Sequence, residues 1–148
     1  TNDVELDNYD DLEKPFTFDF SFNIPMESSG DKIFINPFCG QAISENPFKQ
    51  NERTLAVDLV YFRSYKYKST ITIPKGYTVE YTPKSTKHNS AVLAFNYTTQ
   101  QTDDKIEVIA DFAYSKNIYL PQEYNRLKLT MTAIIKHLSE MIVLKKQE

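Results

Sequence analysis

Residues 91–114 read AVLAFNYTTQQTDDKIEVIADFAY, and this stretch decides the fold class. Ala91, Leu93, Phe95 and Tyr97 occupy alternate positions. Thr102-Asp103-Asp104 interrupts the run, and Ile106, Val108, Ala110, Phe112 and Tyr114 then alternate again. Apolar residues at every second position give a strand one face for a core and one for water. Two such runs around a polar turn predict an antiparallel hairpin.

The same period recurs upstream. Tyr65, Tyr67, Ser69, Ile71 and Ile73 alternate opposite Lys66, Lys68, Thr70 and Thr72. Pro74-Lys75-Gly76 is a turn, and Tyr77, Val79 and Tyr81 form a short strand after it. Leu55, Val57, Leu59 and Tyr61 predict another strand, and Ile33-Phe34-Ile35 a short one stopped by Asn36-Pro37. Phe16, Phe18, Phe20, Phe22 and Ile24 alternate with Thr17, Asp19, Ser21 and Asn23. That stripe reads as the inner face of a sheet rather than a platform for stacking ligands. Residues 38–52 show no period and read as a long loop, of the kind that carries function or covers a sheet edge. Residues 83–90 are polar and read as a second loop.

The period changes near the end. Tyr124, Leu127, Met131, Ile134, Leu138 and Ile142 make one stripe of an amphipathic helix over about 121–142. Pro121 suits the first helical turn, and Glu123 lies where the helix dipole favours a carboxylate. The stripe is expected to pack on the domain's own sheet, because a helix of this length needs tertiary burial. Together these patterns predict a mostly β fold: an antiparallel β-sandwich of about seven or eight strands with one C-terminal amphipathic helix packed on it.

A chain of 148 residues, 41% hydrophobic and 25% charged, suits one globular domain. Asp3, Glu5, Asp7, Asp10, Asp11 and Glu13 face Lys14 alone, so residues 1–14 read as an acidic linker or N-terminal arm and 15–148 as a single domain. Thr1 is not a start Met and no charged-then-apolar leader follows, which predicts a mature form or an excised piece. A net charge of -3 gives no electrostatic case for nucleic acid or an anionic membrane. The longest unbroken apolar stretch runs from Ala91 to Phe95, too short for a membrane-spanning helix. A single Cys excludes an intramolecular disulfide and a Cys-based metal cage.

Candidate chemistry is sparse. Cys39 is the one thiol, and a thiol nucleophile needs a His oriented by a carboxylate or amide. His88 lies in the predicted polar loop and His137 near the helix end, on or beside its wet face; neither placement suggests an ion pair with Cys39. Cys39 reads as a small, partly buried hydrophobe at a turn. No His, Cys or carboxylate spacing fits a zinc or calcium site, and no cofactor is expected. Gly30, Gly40 and Gly76 are too scattered for a phosphate-cradling loop. Glu107 and Asp111 share a strand face at roughly 13–14 Å, too far apart for glycoside hydrolysis. Asn96-Tyr97-Thr98 matches a glycosylation sequon but falls inside a predicted strand. No catalytic, cofactor-binding or metal-binding residue is assigned.

Several motifs in order resemble a known family. ITIPKGYTVEYTPKS spans Ile71 to Ser85. INPF at Ile35–Phe38, NPFK at Asn46–Lys49 and AVDL at Ala56–Leu59 precede it; LPQEYNRLK at Leu120–Lys128 and EMIVLKK at Glu140–Lys146 follow. This succession resembles the uncharacterised C-terminal β domain of bacterial transglutaminase-like proteins with a papain-like core. The resemblance implies that catalysis belongs to an upstream core, that this domain is not itself an enzyme, and that the parent is exported to the periplasm or cell surface. The function expected is then a non-catalytic accessory domain that supports or positions that core, with upstream domains of the same polypeptide as its partners. An alternative is a glycan- or peptide-binding module using Phe38, Phe48 and Tyr119. A third reading is an independent Cys-dependent hydrolase.

Overall fold

The computed structural model describes residues 2–147, which form twelve strands, one helix and a single 3-10 turn. The hairpin read from residues 91–114 is its centre. β9 (Leu93–Gln101) and β10 (Lys105–Tyr114) pair antiparallel, with Phe95 opposite Phe112 and Tyr97 opposite Ala110. β6 (Ser64–Thr72) pairs with the other edge of β10, and β8 (Thr86–Asn89) with the other edge of β9. The four make one antiparallel sheet in the order β6-β10-β9-β8. Ile106, Val108, Ala110 and Phe112 are sealed from water, as are Leu93 and Tyr97. Burying each such large side chain contributes about 1.5–3 kcal/mol before chain entropy is counted.

A second antiparallel sheet has the order β3-β4-β12-β7, from β3 (Glu27–Ser29), β4 (Lys32–Ile35), β7 (Tyr77–Tyr81) and β12 (Ile142–Lys146). The last strand of the chain is therefore central. Leu144 is fully buried and lies opposite both Ile33 and Val79. The helix α1 (Tyr124–Leu138), entered through the 3-10 turn Pro121–Glu123, packs against β9. Its buried side chains are Tyr124, Leu127, Met131, Ile134 and Leu138, the predicted stripe. They join the same core cluster as both sheets, so the helix packs on its own domain and the fold is a mostly β, sandwich-like arrangement with one C-terminal helix.

The details depart from the sequence reading in instructive ways. The strands number twelve rather than seven or eight, because short pieces escape pattern recognition. The helix ends at Leu138, not near 142. The Ser139 hydroxyl donates to the Lys136 carbonyl and the Ser139 N–H to that of Ile135, and Ile142 begins β12. Residues 83–90 contribute β8 rather than loop alone. The run from Leu55 to Tyr61 shrinks to β5 (Val57–Asp58), paired with β11 (Ile118–Tyr119). Val60 has φ 68°, which ends the extended backbone there.

The N-terminal region differs most. β1 (Asn2–Asp7) pairs with β2 (Thr17–Ser21), so the expected acidic arm supplies a strand. The ribbon they form is a separate two-stranded sheet. Its Phe stripe, expected in the core, is exposed from Phe16 to Ile24.

Candidate functional site

The long loop 38–52 is held by two copies of one local device. In each Asn-Pro-Phe segment the Asn Oδ1 accepts from the Phe N–H two residues on: Asn36 from Phe38 at 3.0 Å and Asn46 from Phe48 at 2.9 Å. Asn side chains favour such turns because they mimic a backbone carbonyl. Each turn drives its Phe into the core. Phe38 packs on Tyr67 and Tyr97, and Phe48 packs edge-on against Tyr114 and Tyr124. Both are 6% exposed and Tyr119 is 0% exposed. The three aromatics offered as a binding set are therefore packing residues.

Cys39 follows the first turn at φ 50° and is exposed, not partly buried. It borders a hollow with Ile24, Met26, Phe34 and Met141, whose lining includes neither histidine. The structure brings the two histidines together elsewhere. A groove of about 450 Å³ between β8 and α1 is lined by His88, His137, Phe95, Leu129 and Ile134, with Thr86 and Thr130 at its polar margin. Nothing in the sequence links His88 to His137, 49 positions away; only the β8–β9 pairing and the helix packing juxtapose them.

His137 is not on a wet face. Its side chain is 18% exposed, and its ring meets Tyr97 edge-on at 4.5 Å and Phe95 at 5.9 Å. Nδ1 lies 2.9 Å from Glu140 Oε1, and Nε2 lies 3.0 Å from the Lys84 carbonyl. Glu140 Oε2 in turn accepts from the Tyr81 hydroxyl at 2.7 Å. This chain of contacts ties the C-terminal end of α1 to the end of β7 and the segment leading to β8.

The phenols of the region are held away from ionisation. Its hydrogen bond to the Glu140 carboxylate raises Tyr81, and burial raises it further. Burial raises Tyr97 strongly, with the Glu140 charge next, and the Tyr97 hydroxyl is buried without a hydrogen-bond partner. A general base or nucleophile needs the opposite shift. Among the described residues no group of three His, Cys, Asp or Glu is placed to hold a metal ion.

The remaining candidates have plain partners. Glu107 bridges to Lys68 at 2.8 Å, and Asp111 accepts from Asn96 Nδ2 at 3.2 Å. The carboxylate pair and the sequon asparagine therefore belong to one half-exposed polar face of the β6-β10-β9 sheet. No helix is long and apolar enough to cross a membrane among the described residues.

Comparison with known proteins adds two findings. A protein-family model described as a domain of unknown function with solved structure, DUF3858, matches residues 31–144. A solved structure from Parabacteroides distasonis, described as a "putative protease", superposes with a TM-score of 0.56 at 14% sequence identity. The superposition covers 65% of this chain and 19% of that one, so the likeness is one of fold and the chain spans a small part of that protein. A search of curated proteins finds no match.

Proposed function

We propose, from the premise that this chain belongs to the DUF3858 family, that it is a non-catalytic accessory domain supporting or positioning the catalytic core of a longer transglutaminase-like polypeptide. The observation that carries this is one of proportion: the fold recurs as 19% of a much longer solved chain. A unit of that share, with its own core, fits a scaffold better than a self-sufficient enzyme. The side chains support the same reading. His137 and Glu140 join the end of a helix to a strand, and the Cys39 hollow has no histidine in its lining. On this reading the parent is exported, to the periplasm or cell surface. The test is removal of residues 15–148 from the complete gene product. A lower unfolding midpoint or lower activity of the remaining core is expected. A core unchanged in both would refute the accessory role.

A second reading, a peptide- or glycan-binding module, has one specific observation in its favour. The groove beside β8 is apolar on its helix side, where Leu129 is 61% exposed, and β8 is an edge strand able to accept an added strand. Array screening of the isolated chain against peptides and glycans tests it. Binding lost in Leu129→Glu would move the assignment to this reading.

A further inference from the structure

The β1–β2 ribbon has two unlike faces. Val4 stands opposite Phe20 and Leu6 opposite Phe18, while Glu5 stands opposite Asp19. Residues directly opposite share a face, so one face is apolar and the other acidic. The apolar face is continuous. The Phe18 and Phe20 rings lie 5.1 Å apart, and Phe20 stacks on Phe22 at 5.5 Å. Beyond them Ile24 and Met26 line the hollow that also contains Phe34 and Met141.

This face is open to water. Phe16, Phe18, Phe20 and Phe22 are 60%, 50%, 40% and 43% exposed. At about 200 Å² per ring these four alone show on the order of 400 Å², the size of the largest apolar patch on a typical monomer, which is often functional. A two-stranded ribbon is at best marginal in water by itself. The carboxylates of Glu5 and Asp19, opposed in register, weaken it further.

We infer that the ribbon is a docking surface whose apolar face seats on the preceding domain of the same polypeptide, with basic side chains of that domain bordering the acidic turn Asp7–Glu13. The inference deepens the accessory reading and takes from it only the existence of that domain. Three observations select this occupant. The family match begins at residue 31, so the ribbon lies outside the shared unit and on the side of whatever comes before it. The related fold occupies 19% of a longer chain. Around the ribbon Glu5, Asp7, Asp10, Asp11, Glu13 and Asp19 face Lys14 alone, which is paired with Asp11 at 2.9 Å. That charge favours a partner with a basic rim, and it opposes a second copy of the same ribbon or an anionic membrane.

Hydrogen exchange tests the inference on two samples, this chain alone and the complete polypeptide encoded by its gene. Amides of β1 and β2 should exchange at the shortest labelling time in the chain alone and slow by about tenfold or more in the complete polypeptide. Phe18→Ser combined with Phe20→Ser should restore fast exchange there while β9 and β10 stay protected, which separates lost docking from misfolding. Fast ribbon exchange in both samples overturns the inference. So does ribbon protection in the chain alone that grows with protein concentration, or protection gained only with vesicles of neutral and anionic phospholipid. An unaffected core after removal of residues 15–148 would end the accessory role alone, since that deletion removes β2 and the ribbon's protection is read separately in the complete polypeptide. Unprotected ribbon amides would end the docking inference alone.

Discussion

Tyr119 donates its hydroxyl hydrogen to the Val92 carbonyl at 2.7 Å, wholly inside the protein, and accepts there from the Lys116 N–H at 3.2 Å. One side chain thus stitches the β10–β11 connection to the start of β9. The bond fixes the role of Tyr119 as an interior strut rather than a ligand contact. Tyr119→Phe keeps the ring and removes only this link, leaving the Val92 carbonyl without its buried donor and the part-buried Lys116 amide short of an acceptor. An unmade buried hydrogen bond costs about 1–3 kcal/mol. Urea unfolding of the two proteins should show that loss as a lower midpoint at an unchanged slope.

Leu127 and Leu129 are the same residue type two positions apart on α1, yet the first is fully buried and the second 61% exposed. Leu127→Ala should cost about 2–5 kcal/mol, the range for a truncated core leucine. Leu129→Ala should stay within about 0.5 kcal/mol. Thermal denaturation of both variants checks the pair. Equal effects would mean that the helix does not present the face described.

The contrast shows what was legible in the chain and what was not. The stripe from Tyr124 to Leu138 and the alternation from Leu93 to Tyr114 are dictated by local period, and both stand in the fold. Ile142 falls four residues after Leu138 and so extends the helical stripe by accident; its true partner is Ile35, more than a hundred residues away. Pairing at that range leaves no local signature. The Phe stripe fails differently. Its period correctly divides Phe18 from Asp19, but alternation identifies an apolar face without saying what covers it. The two histidines of the groove were visible singly, and their meeting depends on β8 pairing with β9.

Asn46 holds the long loop against the helix. Its Oδ1 accepts from Phe48, and its Nδ2 donates to the Lys128 carbonyl at 2.9 Å and to Thr132 Oγ1 at 2.8 Å. Asn46→Ala removes all three and should cost about 1–3 kcal/mol. Asn46→Asp keeps the turn to Phe48 but cannot donate to the helix, so its loss should be of the same sign. Hydrogen exchange should locate the damage in residues 45–52 and spare the β6-β10-β9 sheet.

Glu123 closes the start of the helical segment. It accepts from the Leu120 N–H at 2.9 Å and pairs with Lys116. The Lys116 hydrogen bond holds its carboxyl below the ordinary value of 4.5, with the Leu120 bond next. A carboxyl lowered on folding adds stability that is present above its unfolded value and disappears as pH falls through the folded one. Its contribution is therefore intact at neutral pH and lost below about pH 4.5. Glu123→Gln retains an acceptor for Leu120 but has no charge to lose. The drop in unfolding midpoint between pH 7 and pH 3.5 should be smaller in Glu123→Gln than in the parent; an equal drop would show that the pair carries none of the acid sensitivity.

At the alkaline end the buried phenols set the limit. Burial pushes Tyr114 up to about 12 from an ordinary 10.0, with Tyr65 adding to the rise and Arg63 opposing it. Its ring is walled in by Phe48, Phe112 and Tyr119 and the residue is 7% exposed, so little water is left to stabilise a phenolate. The sign follows from the neutral form being the one the fold accepts. Stability from this group is complete below pH 10 and is lost as pH rises toward 12, because the unfolded chain ionises first. Absorbance at the phenolate band should therefore rise in two stages. The first stage should leave the β-sheet signal intact. Tyr114 and Tyr97 ionise only in a second, steeper stage that coincides with loss of β-sheet circular dichroism. In Tyr114→Phe the second stage should shrink and move to higher pH, since one source of alkaline instability is gone. A single smooth titration of all the phenols with the circular dichroism unchanged would contradict the burial described for both residues.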